Sequence, residues 1–331
     1  MSDKVLTLGL IGAGAIARHA YFPVFKDIPE LRLTAVVEPN EKIRQSLQDI
    51  DSLNYLGDDI KAAIDHVDAV IICVPNYLHY NIAKFCLEEG KHVLCEKPVC
   101  VNLTDAENLV ETAKRNSLVF TAAHVRRYYP AINKIKEIVS NRTLGVLKRF
   151  DFSEGTIFGW QTVTGYLFDK KQSGGGVLMD IGIHLLDTLF WWIDGEVSSI
   201  QYVDDNLGGV EATGEIEMIF ANGISGHVKL TRINVLKNFY TLYFENGIVS
   251  WNPFFPQRIY TTKGNKKPIV LTMKRINPVK NLLQDFASSI NNNKEPFIQG
   301  EEAVTILKFI HRCYASRTLL SMPWIEAKVR P

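Results

Sequence analysis

The sequence predicts an α/β protein in two parts, a doubly wound parallel sheet followed by a mostly antiparallel one. Residues 5–124 alternate short apolar runs with helical stretches, and the first run ends in a cluster of glycines. Beyond residue 124 the rhythm changes to strands joined by tight Asn-Gly turns. Composition agrees with a large core: of 331 residues, 46% are hydrophobic and 22% charged. Lys+Arg count 37 against 36 Asp+Glu, a formal charge of +1 that speaks against a broad basic nucleic-acid surface or a polybasic membrane anchor. No apolar run approaches the ~20 residues of a membrane span, and the polar start leads straight into a strand, so no signal peptide is expected. Cys73, Cys86, Cys95, Cys100 and Cys313 make an odd set without a C-x-x-C pair, as expected of reduced thiols in a cytoplasmic protein. The eight histidines are dispersed, and no metal site is expected.

Residues 5–11 form an apolar run of strand length, and residues 15–25 follow with helical character. A second strand is expected over 31–37 and a short helix over 41–48. At 69–74 the run AVIICV is apolar throughout, as in a strand covered on both faces. Residues 77–89 carry Ile82, Ala83, Phe85, Cys86 and Leu87 and close at Gly90, a good helix C-cap. A strand at 92–95, a helix at 104–114 and a strand at 118–122 complete this part, and right-handed crossovers make its sheet parallel. The boundary falls at 123–127, giving domains 1–124 and 125–331. Residues 131–139 and 177–193 read as helices, and strands begin at 197. Asn222-Gly223 separates 213–220 from 224–232, and Asn246-Gly247 separates 240–245 from 248–251. Asn-Gly takes φ > 0 at both central positions, as a type I′ hairpin turn requires. The polar turn 263–267 joins 258–262 to 268–272, and helices near 278–291 and 301–320 end the chain.

The first strand runs into Gly12-Ala-Gly14-Ala15-Ile16-Ala17, a G-x-G-x-x-A pattern in strand–turn–helix context. Gly12 permits the tight turn, Gly14 lets backbone approach a pyrophosphate, and the following helix N-terminus faces the phosphates. Glu38, at the end of the second strand, is placed to accept hydrogen bonds from ribose hydroxyls and to repel a 2′-phosphate. That favours NAD, with NADP left open by Lys42 and Arg44 just beyond.

Two other strand ends reach the same edge. The strand at 69–74 runs into Pro75, Asn76 and His79, and the strand at 92–95 into Glu96, Lys97 and Pro98. A lysine between a glutamate and a proline there can hydrogen-bond a substrate oxygen and stabilise developing negative charge. A third segment, Gly174-Gly175-Gly176-Val-Leu-Met-Asp180-Ile-Gly-Ile-His184, brings backbone close to a ligand at the mouth of a helix. Asp180 and His184, four apart, share a face and together can orient a hydroxyl and move its proton. Asp187 reads equally as support for that pair or as a helix–core hydrogen bonder. The aromatic, glycine-punctuated stretch 153–166, with Phe158, Trp160 and Tyr166, reads as a lid or as a loop packed on itself. Arg126 and Arg127 can meet a phosphate, a carboxylate or a neighbouring acid. Trp191 and Trp192 read as core. His19 and Tyr21 border the cofactor or pack the first helix.

These pieces together resemble the Gfo/Idh/MocA family, named for glucose–fructose oxidoreductase and inositol dehydrogenase. The resemblance rests on the glycine start, on Pro75, Asn76 and His79, on GKHVLCEKP (90–98) and on GGGVLMDIGIHLLD (174–187). It implies an N-terminal Rossmann domain binding NAD(P), and a C-terminal α+β domain with a large open, mostly antiparallel sheet. That second domain binds substrate and supports oligomerisation, its last helix free to pack back on the first. Lys97 corresponds to the family's catalytic lysine, and Asp180 and His184 to its substrate-binding acid and proton-transferring histidine. The family also carries an arginine near 127, which draws Arg127 toward the cleft.

The activity implied is hydride transfer between a nicotinamide and a secondary alcohol or ketone of a sugar, sugar derivative or cyclitol. In it His184 takes the hydroxyl proton, Lys97 stabilises the oxygen and Asp180 fixes the ring. Cofactor contacts are expected from Gly12, Gly14, Ala15, Ile16, Glu38, Pro75, Asn76, His79, Glu96 and Lys97. Substrate contacts are expected from Lys97, Arg127, Trp160, Tyr166, Asp180 and His184. The expected partners are a sugar-like small molecule and further copies of the chain, as a homodimer or homotetramer through the C-terminal sheet, with no nucleic acid and no membrane. The rival readings are an NAD-dependent glycoside hydrolase working by transient oxidation and a non-catalytic NAD-binding sensor.

Overall fold

The computed structural model describes residues 4–159, 164–264 and 266–321. Its first sheet is built from β1 (Leu6–Ile11), β2 (Leu31–Val37), β3 (Tyr55–Gly57), β4 (Ala69–Ile72), β5 (His92–Cys95) and β6 (Phe120–Ala122). Every pairing is parallel and the order is β3-β2-β1-β4-β5-β6. Leu8, Leu10 and all of β4 are fully buried, which explains their unbroken apolar runs. Burial of each such aliphatic side chain contributes about 1.5–3 kcal/mol. The order reverses between β1 and β4, and a ligand crevice opens at such a switch point. The ends of β1, β2, β4 and β5 place Gly12, Glu38, Asn76 and Lys97 along that edge. The segment β3 and the helix Ile60–Ile64, between β2 and β4, were not anticipated from the sequence.

The second sheet has nine strands: β7 (Leu147–Gly155), β8 (Val197–Asp204), β9 (Thr213–Phe220), β10 (Ser225–Thr231), β11 (Tyr240–Phe244), β12 (Gly247–Trp251), β13 (Arg258–Lys263), β14 (Ile269–Thr272) and β15 (Arg317–Leu319). The order is β14-β13-β12-β11-β7-β10-β9-β8-β15, with β7–β10 and β8–β15 parallel and the other pairs antiparallel. The central strand β7 escaped the sequence reading because adjacent exposed Lys148 and Arg149 interrupt its alternation. One face of this sheet covers the helix Ile183–Trp192, where Phe152 meets Trp192 edge-on at 5.8 Å. Trp192 is fully buried and donates to Ile132 O, in line with its reading as core.

Three expectations change. The β9–β10 hairpin is not a type I′ turn: Phe220 and Ile224 close a three-residue loop in which only Gly223 has positive φ, at 84°. That is a type I turn followed by a left-handed glycine, an alternative that the same Asn-Gly pair serves equally well. At Asn246-Gly247 the loop is shorter still, and neither residue has positive φ, because Gly247 already pairs with Phe244 in the ladder. Near the end, the helix stops at Ala315, and residues 317–319 add β15 to the sheet edge beside β8.

Both terminal helices contact the first sheet's helices. Gly300–Ala315 lies on the helix Leu103–Arg115 and on β6, Thr121 donates to Ile298 O at 2.6 Å, and Pro278–Asn291 contacts the helix following β1. All five cysteines are free and buried, and among the described residues no helix is long and apolar enough to cross a membrane.

Candidate active site

Gly12 has φ +89°, and a Cβ there would lie 2.7 Å from Cys73 O, so only glycine fits between the ends of β1 and β4. Gly14 differs. Among the described residues, no atom beyond its two chain neighbours lies within 4 Å of where its Cβ would be, so the turn presents bare backbone to open space ahead of the helical stretch containing Ala15, Ile16 and Ala17. That is the cradle a pyrophosphate needs. Glu38 is buried and closes the turn: Oε2 accepts from Ala13 N and Oε1 from Asn40 N, both at 2.8 Å. Each oxygen keeps a second lone pair for a ribose hydroxyl. Arg44 donates to Glu38 O and Pro39 O, beside the carboxylate.

Asn76 reaches across to the second part, donating to Ser173 O at 2.8 Å. His79 is fully buried, with Nδ1 2.7 Å from Pro98 O and Nε2 2.8 Å from Val74 O. It ties together the loops that carry Asn76 and Lys97 and presents no free polar atom to a cofactor, so the contact expected of it is replaced by a supporting one. Glu96 is supported in turn by buried Tyr21, whose hydroxyl donates to Oε1 at 2.8 Å, and burial pushes the Glu96 carboxyl up from its ordinary value. Tyr21 is thereby a helix residue that braces the cleft.

Lys97 crosses the cleft. Its Nζ donates to Asp180 Oδ1 and to Asp180 O, each at 2.9 Å, leaving one N–H for another acceptor. Burial, reinforced by the Arg232 and Arg126 charges, lowers its pKa to about 8. The other carboxylate oxygen of Asp180 accepts from Arg232, just past β10. Asp180 therefore holds Lys97, and its oxygens are not engaged with His184. The imidazole of His184 is held well below its ordinary pKa by burial and by the Lys97, Arg126 and His124 charges, so it is neutral at pH 7. Beside this group, Arg126 clasps Glu154 with two 2.8 Å bonds and also donates to Tyr240.

The glycine run works differently from the sequence reading. Gly174 ends the short helix Lys170–Ser173 with φ +85°. A Cβ on Gly175 would collide with the Tyr314 hydroxyl, and one on Gly176 with the backbone of Glu211. These two glycines admit protein, not ligand. Glu211 caps the segment, accepting from Gly176 N at 2.9 Å and Leu178 N at 3.1 Å.

Arg127 also departs from expectation. It is 2% exposed and bonded to Asp187 through Nε at 2.9 Å and to Glu302, with its guanidinium 4.9 Å from the Trp191 ring centroid. It is an interior strut beneath the cleft, and its neighbour Arg126 faces the site instead. Tyr166 is half-buried, with Glu96 among the charges its hydroxyl feels, which places it beside the cleft. Trp160 lies outside the described residues. The described part of its loop packs on itself, Phe158 meeting Phe168 at 5.2 Å under the Arg232 guanidinium. Arg232 and Glu211 were missed because each lies in a segment with no recognisable motif, and Glu154 because 153–166 reads as a loop whereas 147–155 form β7.

Residues 6–124 match the family model described as "Oxidoreductase family, NAD-binding Rossmann fold" (GFO_IDH_MocA), and residues 132–250 match the GFO/IDH/MocA C-terminal domain. Among curated relatives, D-glucoside 3-dehydrogenase of Escherichia coli (strain K12) is 30% identical over 196 residues, 58% of this chain and 55% of that protein. The match thus spans about half the length of that relative. D-xylose 1-dehydrogenase [NADP(+)] of Haloarcula marismortui is 24% identical over 96% of this chain and 92% of its own. The solved aldose-aldose oxidoreductase from Caulobacter crescentus, complexed with glycerol, shares the fold with a TM-score of 0.86 at 22% identity, covering 95% of this chain and 97% of that one.

Proposed function

The chain belongs to the Gfo/Idh/MocA oxidoreductase family, and from that premise we propose that it is an NAD(P)-dependent dehydrogenase or ketoreductase acting on a secondary alcohol or ketone of a sugar, sugar derivative or cyclitol. The observation that carries this reading is the Lys97–Asp180 contact at 2.9 Å. It joins a lysine at the end of β5 to the helix that bears His184, so an ammonium and a neutral imidazole flank the crevice. Gly12, Gly14, Ala15, Ile16, Glu38, Asn76 and Glu96 are the residues that would hold the dinucleotide, and the open space at Gly14 suits its phosphates. Glu38 favours NAD over NADP, for a carboxylate repels a 2′-phosphate; Arg44 is the cation an NADP-dependent enzyme would use.

When bound, the nicotinamide supplies the hydride acceptor or donor. His184 Nε2 takes the hydroxyl proton in oxidation and returns it in reduction. The third N–H of Lys97 donates to the same oxygen as its charge grows, while Asp180, clamped by Arg232, keeps that N–H in place. Residues 1–124 serve the cofactor and 125–331 the substrate. The outer face of the nine-stranded sheet, with half-exposed Ile219 and Ile248, pairs copies of the chain into a homodimer or homotetramer. The buried thiols suit a cytoplasmic enzyme.

The test is a panel of sugars, cyclitols, sugar phosphates and nucleotide sugars with NAD and NADP, read at the reduced-nicotinamide absorbance. Net reduced cofactor appears with one class of alcohol, whereas a hydrolase with transient oxidation releases none. Lys97→Ala lowers kcat by about 10²–10⁴-fold with NADH affinity nearly intact; near-normal turnover would remove the lysine from the mechanism. Since the Lys97 pKa is lowered to about 8, the ammonium is lost above that pH. The rate of alcohol oxidation dependent on it falls there, and Lys97→Arg shifts this alkaline limb upward.

A further inference from the structure

Arg232 follows β10 and carries a guanidinium whose pairing is incomplete. In the parallel register of β10 on β7, Leu230 lies opposite Glu154; on the other side of β7, Tyr240 lies opposite Phe152. Side chains two residues apart on a strand share a face, and Phe152 meets Trp192 of the covering helix. Phe152, Glu154, Leu230 and Tyr240 therefore form one row on the helix side of the sheet. Arg232 continues that row onto the segment Leu178–Gly182, where it donates to Asp180.

Arg126, Arg127 and Arg232 are partnered differently. Arg127 holds Asp187 and Glu302, and Arg126 holds both oxygens of Glu154 and the Tyr240 hydroxyl. Arg232 has no carboxylate of its own, for the Asp180 group that it meets holds Lys97 through its other oxygen. One of its five N–H groups is used there, and the other four have no acceptor among the described residues. None of its nitrogens is a fully buried orphan, and its side chain is 23% exposed, so those donors open to solvent beside Asp180. The Phe158 ring stands 5.5 Å from the guanidinium, and Phe158 N donates to Arg232 O at 2.8 Å. Residues 160–163 of the same loop, Trp-Gln-Thr-Val in sequence, contain no acid to complete the pairing.

A partly buried guanidinium with free donors gains most from an anion, and its planar fork matches the oxygens of a carboxylate or phosphate. Lys97 and Arg232 hang on the two oxygens of one carboxylate. Whatever Arg232 takes therefore lies within about one ring's breadth of the oxygen that Lys97 takes. Resting on the dehydrogenase reading above, we propose that Arg232 is a specificity-determining residue. Its free N–H groups bind a carboxylate or phosphate on the same sugar ring whose alcohol is oxidised, so the substrate is a sugar acid or a sugar phosphate. The substrate's anion supplies the second negative charge for two cations that share Asp180.

Matched ligands on the NADH-loaded protein test this without turnover: D-glucose, D-glucuronate and D-glucose 6-phosphate, with the corresponding galactose set, titrated by bound-cofactor fluorescence. An anionic member binds roughly 10–100-fold tighter than its neutral parent, and uronate against phosphate decides which anion it is. With NAD or NADP the same ratio appears in kcat/KM, carried by KM. Arg232→Gln also removes a support of Asp180, so activity on every sugar falls. The anionic-to-neutral ratio falls to near unity, which the loss of a purely structural support would not bring about. Arg232→Lys, a cation without the fork, lowers the ratio less. Neutral sugars bound as tightly as their anionic counterparts, no anionic member bound at all, or a ratio unchanged in Arg232→Gln each overturn the proposal. Should Arg232→Gln fail to fold, the unaltered protein and Arg232→Lys decide on the same terms. Anion-selective binding with no reduced nicotinamide from any sugar leaves the anion site standing and sinks the dehydrogenase reading. Turnover confined to neutral sugars keeps that reading and sinks only the role of Arg232.

Discussion

The two glycine turns that flank the crevice use the same residue to opposite ends. At Gly14 the missing Cβ leaves a space that, among the described residues, no atom beyond its chain neighbours approaches within 4 Å, and the backbone there is left free for a ligand. At Gly175 and Gly176 the missing Cβ is taken up by Tyr314 and by the backbone of Glu211, so the helix carrying Asp180 and His184 is held to the segment before β9 and to the helix Gly300–Ala315. One side of the cleft is bare backbone; the other is packed against protein. Lys97 is aimed across this gap at Asp180, and Glu211 and Tyr314 support the wall that carries Asp180.

Arg127 sets the largest expected difference between the two sides. Arg127→Met strands the buried Asp187 carboxylate without its cation and costs about 3–5 kcal/mol of stability, the usual loss when one member of a buried ion pair is removed. Denaturant unfolding measures it, and a rise in substrate KM with unchanged stability would return Arg127 to the substrate. Next comes Gly176→Ala, which forces a methyl against the Glu211 backbone and costs on the order of 3 kcal/mol, the upper end for overpacking. A Tm equal to that of the unaltered protein would show the run to be loose and the contrast false. The smallest effect belongs to the open side: Gly14→Ala leaves Tm unchanged and weakens NADH binding roughly tenfold, about 1.4 kcal/mol, as fluorescence titration would show. Equal binding would mean that the phosphates lie elsewhere.

Much of the site was legible because its residues announce themselves locally. The G-x-G-x-x-A turn, the acid 21 residues beyond Ala17 at Glu38, the lysine after β5 and the Asp180–His184 spacing each combine a residue type with a strand end or a helix face. Arg126 and Arg127 show the limit. Adjacent in sequence and alike in chemistry, they diverge because a single turn at 125–128 sends one side chain to Glu154 and the other to Asp187 and Glu302. Nothing in their neighbours distinguishes them.

By itself the sequence determined the alternation of strand and helix, the parallel sheet with its nucleotide turn, and the residue types at the strand ends. These follow from periodicity and from backbone freedom, which act over a few residues. Only the tertiary structure decided that Arg232 and Lys97 share Asp180 and that Glu211 seats the glycine run. Each of those depends on how segments tens of residues or more apart in the chain pack together, and hydrogen bonding and charge in a buried cleft are set by which groups meet there, not by which ones neighbour each other along the backbone.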